Sequence, residues 1–418
     1  MRIFLQYVQS PRIITDIIAM GIPTLSLIRE AEQRIRPFLA ATPVTSVNSL
    51  SQKLGIELLV KWDNKLRTGS FKERGALNFL LSLDAPTRAR GVIAASAGNH
   101  ALGVSFHAQQ LKTPCHLIMP SNAPLVKVES CRRFGATITQ HGSLADAIVL
   151  AKERAIHDGL TYIPPFDHEF IVCGQGVAGL ELLDQVNDFD AVVIPVGGGG
   201  YAAGIATAIK SVRPDVYVLG VCSEWALGAR GRSPEHSMSI PPSTIADGIA
   251  VKTIGSVTGP ILDKNLSSLV AVSERSIAKA IITLLEHEHV VVEGAGAAGI
   301  AAVLDGYLPS HIKKPVVMVC GSNIDMNLLS RLIEHDMAER GRLLRVNISL
   351  PDRPGMLHTI SGIIAQQGAN VLQVSHDRFY ALVPGHVDIT VVMEVRDRAH
   401  GGEIVAALQA AGLPTVLS

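Results

Sequence analysis

The stretch Val192–Ser211 reads VVIPVGGGGYAAGIATAIKS: an apolar run, four consecutive glycines and an Ala-rich segment. The apolar run predicts a buried strand at Val192–Val196, and the segment after the glycines predicts a helix over Gly200–Ser211. Glycine lets the backbone approach an anion closely, and the start of a helix adds the positive end of its dipole. We therefore expect a phosphate cradle here, with a ligand-free turn as the alternative. Its residues are Gly197, Gly198, Gly199 and Gly200.

Strand-like and helix-like segments alternate on both sides of this stretch. Such alternation predicts βαβ units and a largely parallel sheet, so the fold class is α/β. The other strand-like runs are Ile56–Trp62, Val92–Ala95, Cys115–Met119, Val216–Val221 and Val316–Val319. The other helix-like segments are Ala101–Gln110, Leu144–His157 and Ser276–His287, and Ser233–Ser243 is predicted to be a loop.

The pattern changes near residue 340. Strands are predicted at Leu343–Leu350, Asn370–His376, His386–Val395 and Pro414–Leu417, with a helix to about Gln367 and another over Glu403–Ala411. This order is the ferredoxin-like β-α-β-β-α-β arrangement. Residues 339–342 are polar, contain Gly341 and are predicted to link a large body to this small module.

Composition excludes several classes of protein. Lys+Arg and Asp+Glu both number 37, so no net charge favours nucleic acid or an anionic membrane surface. The five cysteines form no Cys-x-x-Cys pair, which favours a reduced, cytoplasmic setting. Residues 1–21 lack the apolar core of a signal peptide. The uncharged stretch Ala191–Ile209 is long enough to span a membrane, but Pro195 and the glycines favour a strand, loop and helix.

Two further clusters carry groups that suit amino-acid chemistry. Lys72 lies in TGSFKERGA (68–76), where confinement could leave its amine unprotonated and nucleophilic; a solvated lysine at a helix end is the alternative. The turn Ser96–His100 follows a predicted strand and could hold a carboxylate, or could be an ordinary helix cap. Phosphate, carboxylate and amine sites together are what pyridoxal phosphate and an amino acid require.

Seven motifs add a family resemblance. They are TGSFKERGA, SAGNHALG, PFDHEFIVCGQG, PVGGGGYAAG, TIADGIAVK, EGAGAAG and CGSNID, spread over residues 20–330. In this order they resemble the threonine/serine dehydratase branch of the fold-type II pyridoxal-phosphate enzymes. Residues 342–418, with DRPGML, GANV and VSHDR, resemble an ACT regulatory domain.

The resemblance implies a fold. It predicts two open twisted sheets flanked by helices, followed by a ferredoxin-like ACT domain. The body would span residues 1–335, with a smaller subdomain of roughly residues 60–155 inserted in the larger one. The ACT-like domain would span residues 342–418.

The resemblance also implies residue roles. Lys72 would form the Schiff base and act as the base at the substrate's α-carbon. Phe71 would pack on the pyridine ring, Asn99 would bond its 3-hydroxyl, the glycine loop would bind phosphate, and Cys320 would face the ring nitrogen. The substrate carboxylate would lie at the turn formed by Ser96, Ala97, Gly98, Asn99 and His100.

The activity implied is β-elimination. Substrate displaces Lys72, the α-proton leaves, the β-hydroxyl departs with the cofactor phosphate as the expected acid, and the product hydrolyses. L-Threonine would give 2-oxobutyrate and ammonia, with L-serine to pyruvate as a secondary activity. The alternatives are a serine-preferring or 3-hydroxyaspartate dehydratase, and an amino-acid-sensing protein with a degenerate body. Intact Lys72, Asn99 and glycine loop argue against the sensor.

Several positions depart from the family. Ala97 stands where serine racemases of this fold carry a proton-donating Ser, so racemisation should be minor. Cys222 replaces a metal-binding Glu, and we expect no metal, although Glu224 could partly substitute. Other departures expected near the pocket are Leu66, Tyr201 and Val177.

Two further acidic features, Glu286–His289 and Glu293, each allow a functional and a structural interpretation. Glu286–His289 resembles a metal cluster, but consecutive helical side chains fan out, which favours a solvated helix end. Glu293 either lines the site or is a structural carboxylate at a helix start.

Regulation is expected at the ACT-like domain. ACT modules commonly pair across subunits and bind an amino acid at that seam, and Gly368, Ala369 and Asn370 form the matching turn. We expect a homodimer or homotetramer that responds to isoleucine or valine, which would place it in isoleucine biosynthesis.

Overall fold

The computed structural model describes residues 22–226, 244–251, 253–378 and 383–417. The chain divides into two compact units, Met1–Ile324 and Asp325–Ser418. The predicted loop Ser233–Ser243 and residues 1–21 lie outside the described residues.

The first unit alternates strands and helices. Its strands are β1 (Val44–Ser46), β2 (Leu59–Trp62), β3 (Val92–Ala95), β4 (Cys115–Met119), β5 (Thr137–Gln140), β6 (Thr161–Tyr162), β7 (Ala191–Pro195), β8 (Tyr217–Ser223), β9 (Ser268–Val272) and β10 (Pro315–Val319). Its α-helices are α1 (Leu25–Ile35), α2 (Asn48–Leu54), α3 (Lys72–Ser82), α4 (Ala85–Arg90), α5 (Asn99–Gln110), α6 (Leu125–Arg133), α7 (Leu144–His157), α8 (Glu169–Gln185), α9 (Gly200–Val212), α10 (Thr258–Asn265), α11 (Glu274–Glu288) and α12 (Gly294–Leu304).

These strands form two sheets. The larger has the order β1-β2-β10-β7-β8-β9 and is parallel except for the β1–β2 pair. The smaller has the order β5-β4-β3-β6 and is wholly parallel. The two open sheets expected of a fold-type II enzyme are thereby confirmed. Parallel strands covered by helices on both faces are buried throughout, as β3, β7 and β10 are.

The smaller sheet occupies residues 92–162, between β2 and β7 of the larger sheet in the chain. Helices α8 and α9 pack beside the glycine loop, and Gly204 allows their close approach. A Cβ at Gly204 would lie 2.3 Å from the carbonyl oxygen of Val172. The bounds of the smaller subdomain, roughly residues 60–155, stay a prediction.

The second unit is the ferredoxin-like module. It contains α13 (Met326–Glu339), β11 (Leu343–Pro351), α14 (Met356–Gln366), β12 (Asn370–Asp377), β13 (His386–Glu394), α15 (Arg398–Ala410) and β14 (Thr415–Leu417). The strands form an antiparallel sheet in the order β12-β13-β11-β14, which confirms the predicted βαββαβ order.

One helix boundary in this unit differs from expectation. Helix α15 begins at Arg398 instead of near Glu403, because the Asp397 side chain accepts a hydrogen bond from the His400 N–H and caps an earlier start. Residue 335, the predicted end of the body, lies within α13, and the domain boundaries given from the sequence stay a prediction.

Candidate active site

Lys72 is the first residue of α3, and its position is fixed by the end of β10. The Phe71 N–H donates to the Cys320 carbonyl oxygen at 2.9 Å, and Ser70 forms a bridge with Gly321. These bonds place the start of α3 beside the carboxyl end of a buried strand. That edge of a parallel sheet is where ligands bind in open α/β folds.

The amine of Lys72 is unusually easy to deprotonate. Its Nζ donates to the Pro165 carbonyl oxygen at 2.7 Å and lies 5.1 Å from the Phe71 ring centroid. Loss of solvation lowers the pKa of Lys72 to about 8, although Cys320 and Glu293 oppose that shift. A substantial fraction of neutral, nucleophilic amine is therefore available near neutral pH.

The glycine loop lies between β7 and α9 and is packed against the segment that contacts Lys72. Gly199 has φ 93°, which favours glycine. A Cβ at Gly198 would lie 2.4 Å from the Phe166 ring, so this loop has no room for side chains. Since Pro165 accepts the Lys72 hydrogen bond, residues 165–166 join the amine to the loop.

Asp167 holds the other side of the loop. Its carboxylate accepts hydrogen bonds from the Ser256 N–H at 2.8 Å and the Val257 N–H at 2.9 Å, just before α10. Thr258 in turn donates its hydroxyl to the Gly198 carbonyl oxygen at 2.7 Å. Sequence reasoning noted the PFDHEF motif but assigned no role to Phe166 or Asp167.

The turn at Ser96–His100 connects β3 to α5 as predicted. The Gly98 N–H contacts the Ser96 hydroxyl at 3.2 Å, and a Cβ at Gly98 would meet open space. His100 is buried, its Nε2 bonds the Ile163 carbonyl at 3.0 Å, and burial near Lys72 lowers its pKa to about 3. His100 is therefore neutral, and this turn offers an anion backbone N–H groups instead of an imidazolium charge. Ala97 packs at the edge of the adjoining core.

Asn99 connects this turn to Glu293 and Asn323. Its Nδ2 donates to Glu293 Oε1 at 2.7 Å, and its Oδ1 accepts from Asn323 Nδ2 at 2.7 Å. Glu293 is 3% exposed, and burial raises its pKa to about 7. Glu293 thus lines the site: it occupies the N-cap position of α12, but its carboxylate faces Asn99 and makes no capping bond.

Cys320 lies at the end of β10 and is 1% exposed. Burial, with the charges of Glu293 and Asp63, raises the pKa of its thiol well above the usual range. The group therefore stays a neutral thiol, and its place opposite a pyridine nitrogen stays a prediction.

Tyr201 packs against Phe71 and bonds to a buried ion cluster of Asp63, Arg74 and Glu181. The Tyr201 and Phe71 ring centroids lie 4.2 Å apart, and the Tyr201 hydroxyl donates to Asp63 Oδ2 at 2.8 Å. Arg74 bonds both Asp63 and Glu181, at 2.9 Å and 2.7 Å. Only the folded chain brings these residues together, so sequence reasoning missed the cluster. Leu66 and Val177, in contrast, pack in an apolar core cluster that includes residues of α1.

The residues considered as metal ligands in the sequence make protein contacts. The Cys222 thiol contacts the Val270 carbonyl oxygen at 3.3 Å, and Glu224 accepts from the Glu274 N–H at 3.2 Å. Helix α11 ends at Glu288 within the segment Glu286–His289. Across the described ranges, no three His, Cys, Asp or Glu side chains are grouped to hold a metal, and no helix is long and apolar enough to cross a membrane.

Comparison with known families decides the class of this site. A model described as "Pyridoxal-phosphate dependent enzyme" matches residues 35–321, and one described as "ACT domain" matches residues 344–413. The chain belongs to the pyridoxal-phosphate-dependent enzymes. This enzyme also carries an ACT domain at its C-terminal end, as the motifs indicated.

Individual relatives of this pyridoxal-phosphate enzyme agree with the assignment. A Thermotoga maritima protein named L-threonine ammonia-lyase is 41% identical over 396 residues, which cover 93% of this chain and 98% of that protein. The processed form of threonine deaminase isoform 2 from Solanum lycopersicum is similar with a TM-score of 0.69 and 32% identity, covering 76% of this chain and 91% of that one. Maize serine racemase gives a TM-score of 0.70 and 30% identity, covering 76% and 99%.

The residues present fit pyridoxal phosphate. Lys72 offers an amine of lowered pKa, the Gly198 position leaves no room for a Cβ, and Cys320 stays neutral. The buried hydroxyls of Thr68 and Ser70, shortly before Lys72, have no hydrogen-bond partner among the described protein atoms. Each feature matches a part of the cofactor or its polar periphery.

Proposed function

We propose that this protein is a pyridoxal-phosphate-dependent L-threonine ammonia-lyase, which converts L-threonine to 2-oxobutyrate and ammonia and, as a secondary activity, L-serine to pyruvate. The observation that carries the proposal is the Lys72 amine of lowered pKa, held beside the glycine loop and the neutral Cys320 thiol. Relatives matched over nearly the whole chain are named for threonine, which supports threonine over serine or 3-hydroxyaspartate as the preferred substrate.

Each part of the cofactor would meet a specific group. Lys72 would hold its aldehyde carbon, residues 197–200 its phosphate, Asn99 its 3-hydroxyl and Cys320 its ring nitrogen, while Phe71 would pack beside the ring. When bound, pyridoxal phosphate supplies the electron sink that stabilises negative charge at the substrate α-carbon.

The chain itself would orient the substrate and move its proton. Backbone N–H groups of the Ser96–His100 turn hold the carboxylate near the start of α5, where the helix dipole favours an anion. The Lys72 amine takes the α-proton, and a pKa of about 8 suits proton transfer near neutral pH. Ala97 offers no proton donor, so exchange at the α-carbon is confined to the Lys72 face.

A substrate panel tests this proposal. Holoenzyme is incubated with L-threonine, L-serine, D-serine and 3-hydroxyaspartate, and ammonia and 2-oxo acid are both measured. L-Threonine should give the highest kcat/KM and equal amounts of the two products. Lys72→Ala should abolish release, whereas Lys53→Ala, which alters an exposed lysine of α2, should leave it unchanged. A preference for another substrate would overturn the threonine assignment.

We further propose that the ACT domain binds isoleucine or valine at the turn Gly368–Asn370, in a cytoplasmic homodimer or homotetramer of isoleucine biosynthesis. Gly368 has φ 77° and turns the chain from α14 into β12, an edge strand that is mostly exposed. Calorimetry with both amino acids and light scattering for mass test this. No binding, or a monomeric mass, would contradict the corresponding part.

A further inference from the structure

Asn99 lies at the centre of a short chain of hydrogen bonds. The chain begins at the Thr68 carbonyl oxygen, which accepts from Asn323 Nδ2 at 2.8 Å. The same Nδ2 donates to Asn99 Oδ1 at 2.7 Å, and Asn99 Nδ2 donates to Glu293 Oε1 at 2.7 Å. The Asn99 amide therefore joins its own turn to Glu293 and Asn323, which are distant from it in sequence.

The donors and acceptors in this chain fix the direction of every bond. A backbone carbonyl oxygen only accepts, so the Asn323 atom that faces Thr68 must be its NH₂ group. Both hydrogens of that group are then used, one on Thr68 and one on Asn99. The Asn99 atom facing Asn323 must in turn be its oxygen.

Glu293 fixes the other end of the same amide. With its oxygen facing Asn323, Asn99 presents its NH₂ group to Glu293, and the facing carboxyl oxygen Oε1 accepts from it. The reversed amide would place oxygen against oxygen at Glu293 and NH₂ against NH₂ at Asn323. The observed orientation leaves Asn99 with one N–H that is not used in the chain of bonds.

We infer that Asn323 and Glu293 are positioning residues that hold the remaining Asn99 N–H toward the 3-hydroxyl oxygen of pyridoxal phosphate. The inference rests on the role proposed for Asn99, and it does not depend on which amino acid is the substrate. Because Glu293 is buried and Asn323 is half-buried, solvent competes poorly with these bonds.

The test compares two ligands in the absence of substrate. Apoprotein is titrated with pyridoxal phosphate and with its 3-deoxy analogue, and binding is followed by absorbance and by quenching of protein fluorescence. Asn323→Ala and Glu293→Ala should each weaken binding of pyridoxal phosphate by about three- to tenfold, the range for one hydrogen bond. The titrations are run above pH 8, where Lys72 is mostly neutral with or without the Glu293 charge, and there neither variant should change the affinity for the 3-deoxy analogue.

A conservative variant provides the rescue. In Glu293→Gln the side-chain carbonyl can still accept from Asn99, so affinity for pyridoxal phosphate should stay within about twofold of the unaltered protein. Thermal unfolding of each apoprotein identifies any variant that fails to fold, and the remaining variants then decide the outcome.

The possible outcomes separate this inference from the proposed function. Equal weakening of both ligands would show a general structural role and overturn the inference, as would no weakening of either. Failure of the unaltered protein to bind pyridoxal phosphate would instead overturn the cofactor assignment. Failure to release ammonia from threonine in the substrate panel would overturn only the activity.

Discussion

Raising the pH should accelerate capture of pyridoxal phosphate by the apoprotein, with a midpoint at about 8. Burial lowers the pKa of Lys72 to about 8 from the ordinary value of 10.5. A lysine with a lowered pKa loses its proton at lower pH, and only the neutral amine attacks an aldehyde. At the midpoint half of Lys72 is neutral, against ~0.3% of an exposed lysine, so burial increases the reactive fraction roughly 150-fold.

The assay is stopped-flow absorbance of apoprotein mixed with excess cofactor across the pH range. His100 stays neutral throughout, because its pKa is lowered to about 3. Burial raises the pKa of Glu293 to about 7, and its negative charge raises the pKa of Lys72. Glu293→Gln should therefore move the midpoint below that of the unaltered protein. A midpoint near 10.5, a rate independent of pH, or an upward shift in Glu293→Gln would refute the reasoning.

Three substitutions test other parts of the structure. Gly198→Ala places a Cβ 2.4 Å from an aromatic ring and should weaken cofactor binding at least about tenfold in a titration, whereas Gly362→Ala, which meets open space, should not. Arg74→Met leaves two buried carboxylates without their main partner and should cost about 3–5 kcal/mol of unfolding free energy in urea; Arg132→Met, at an exposed pair, should cost less than about 1 kcal/mol. Ala97→Ser should raise D-serine formation from L-serine by up to roughly a hundredfold, measured by chiral chromatography. The glycine-loop argument fails if Gly198→Ala binds cofactor normally. The ion-cluster argument fails if the two arginine variants lose equal stability. The argument about position 97 fails if D-serine formation is unchanged.

Elements with local signals could be predicted from the sequence. Strands β3 and β4 and helix α7 have their predicted bounds. Gly91 precedes β3, prolines flank β4, and Ser143 and Asp146 form a capping box at the start of α7. Such residues end or begin an element whatever the tertiary structure.

Other elements lacked that kind of signal. Helix α8 is buried continuously over Ile171–Leu182, and α12 over Gly294–Val303. Helices buried all round have no polar face, so their apolar residues show no helical period. The edge strand β1 has only three residues, Val44–Ser46, and two of them are polar, so it shows no apolar run.

The residues of the site also fall into those with a local sequence signal and those without one. Lys72, the glycine loop and the turn at Ser96 lie in continuous motifs and could be proposed from the sequence. Their partners could not, since Asn99 and Glu293 are 194 residues apart. Only the sheet order brings such groups together.

The central claim is that Lys72 carries the cofactor, and one measurement tests it most directly. Holoenzyme is reduced with borohydride, digested and examined by mass spectrometry for the lysine that carries the pyridoxyl phosphate group. The structure predicts the modification at Lys72, with near-complete occupancy and none in Lys72→Ala. Modification of another lysine, or an unmodified Lys72 in an active preparation, would contradict it.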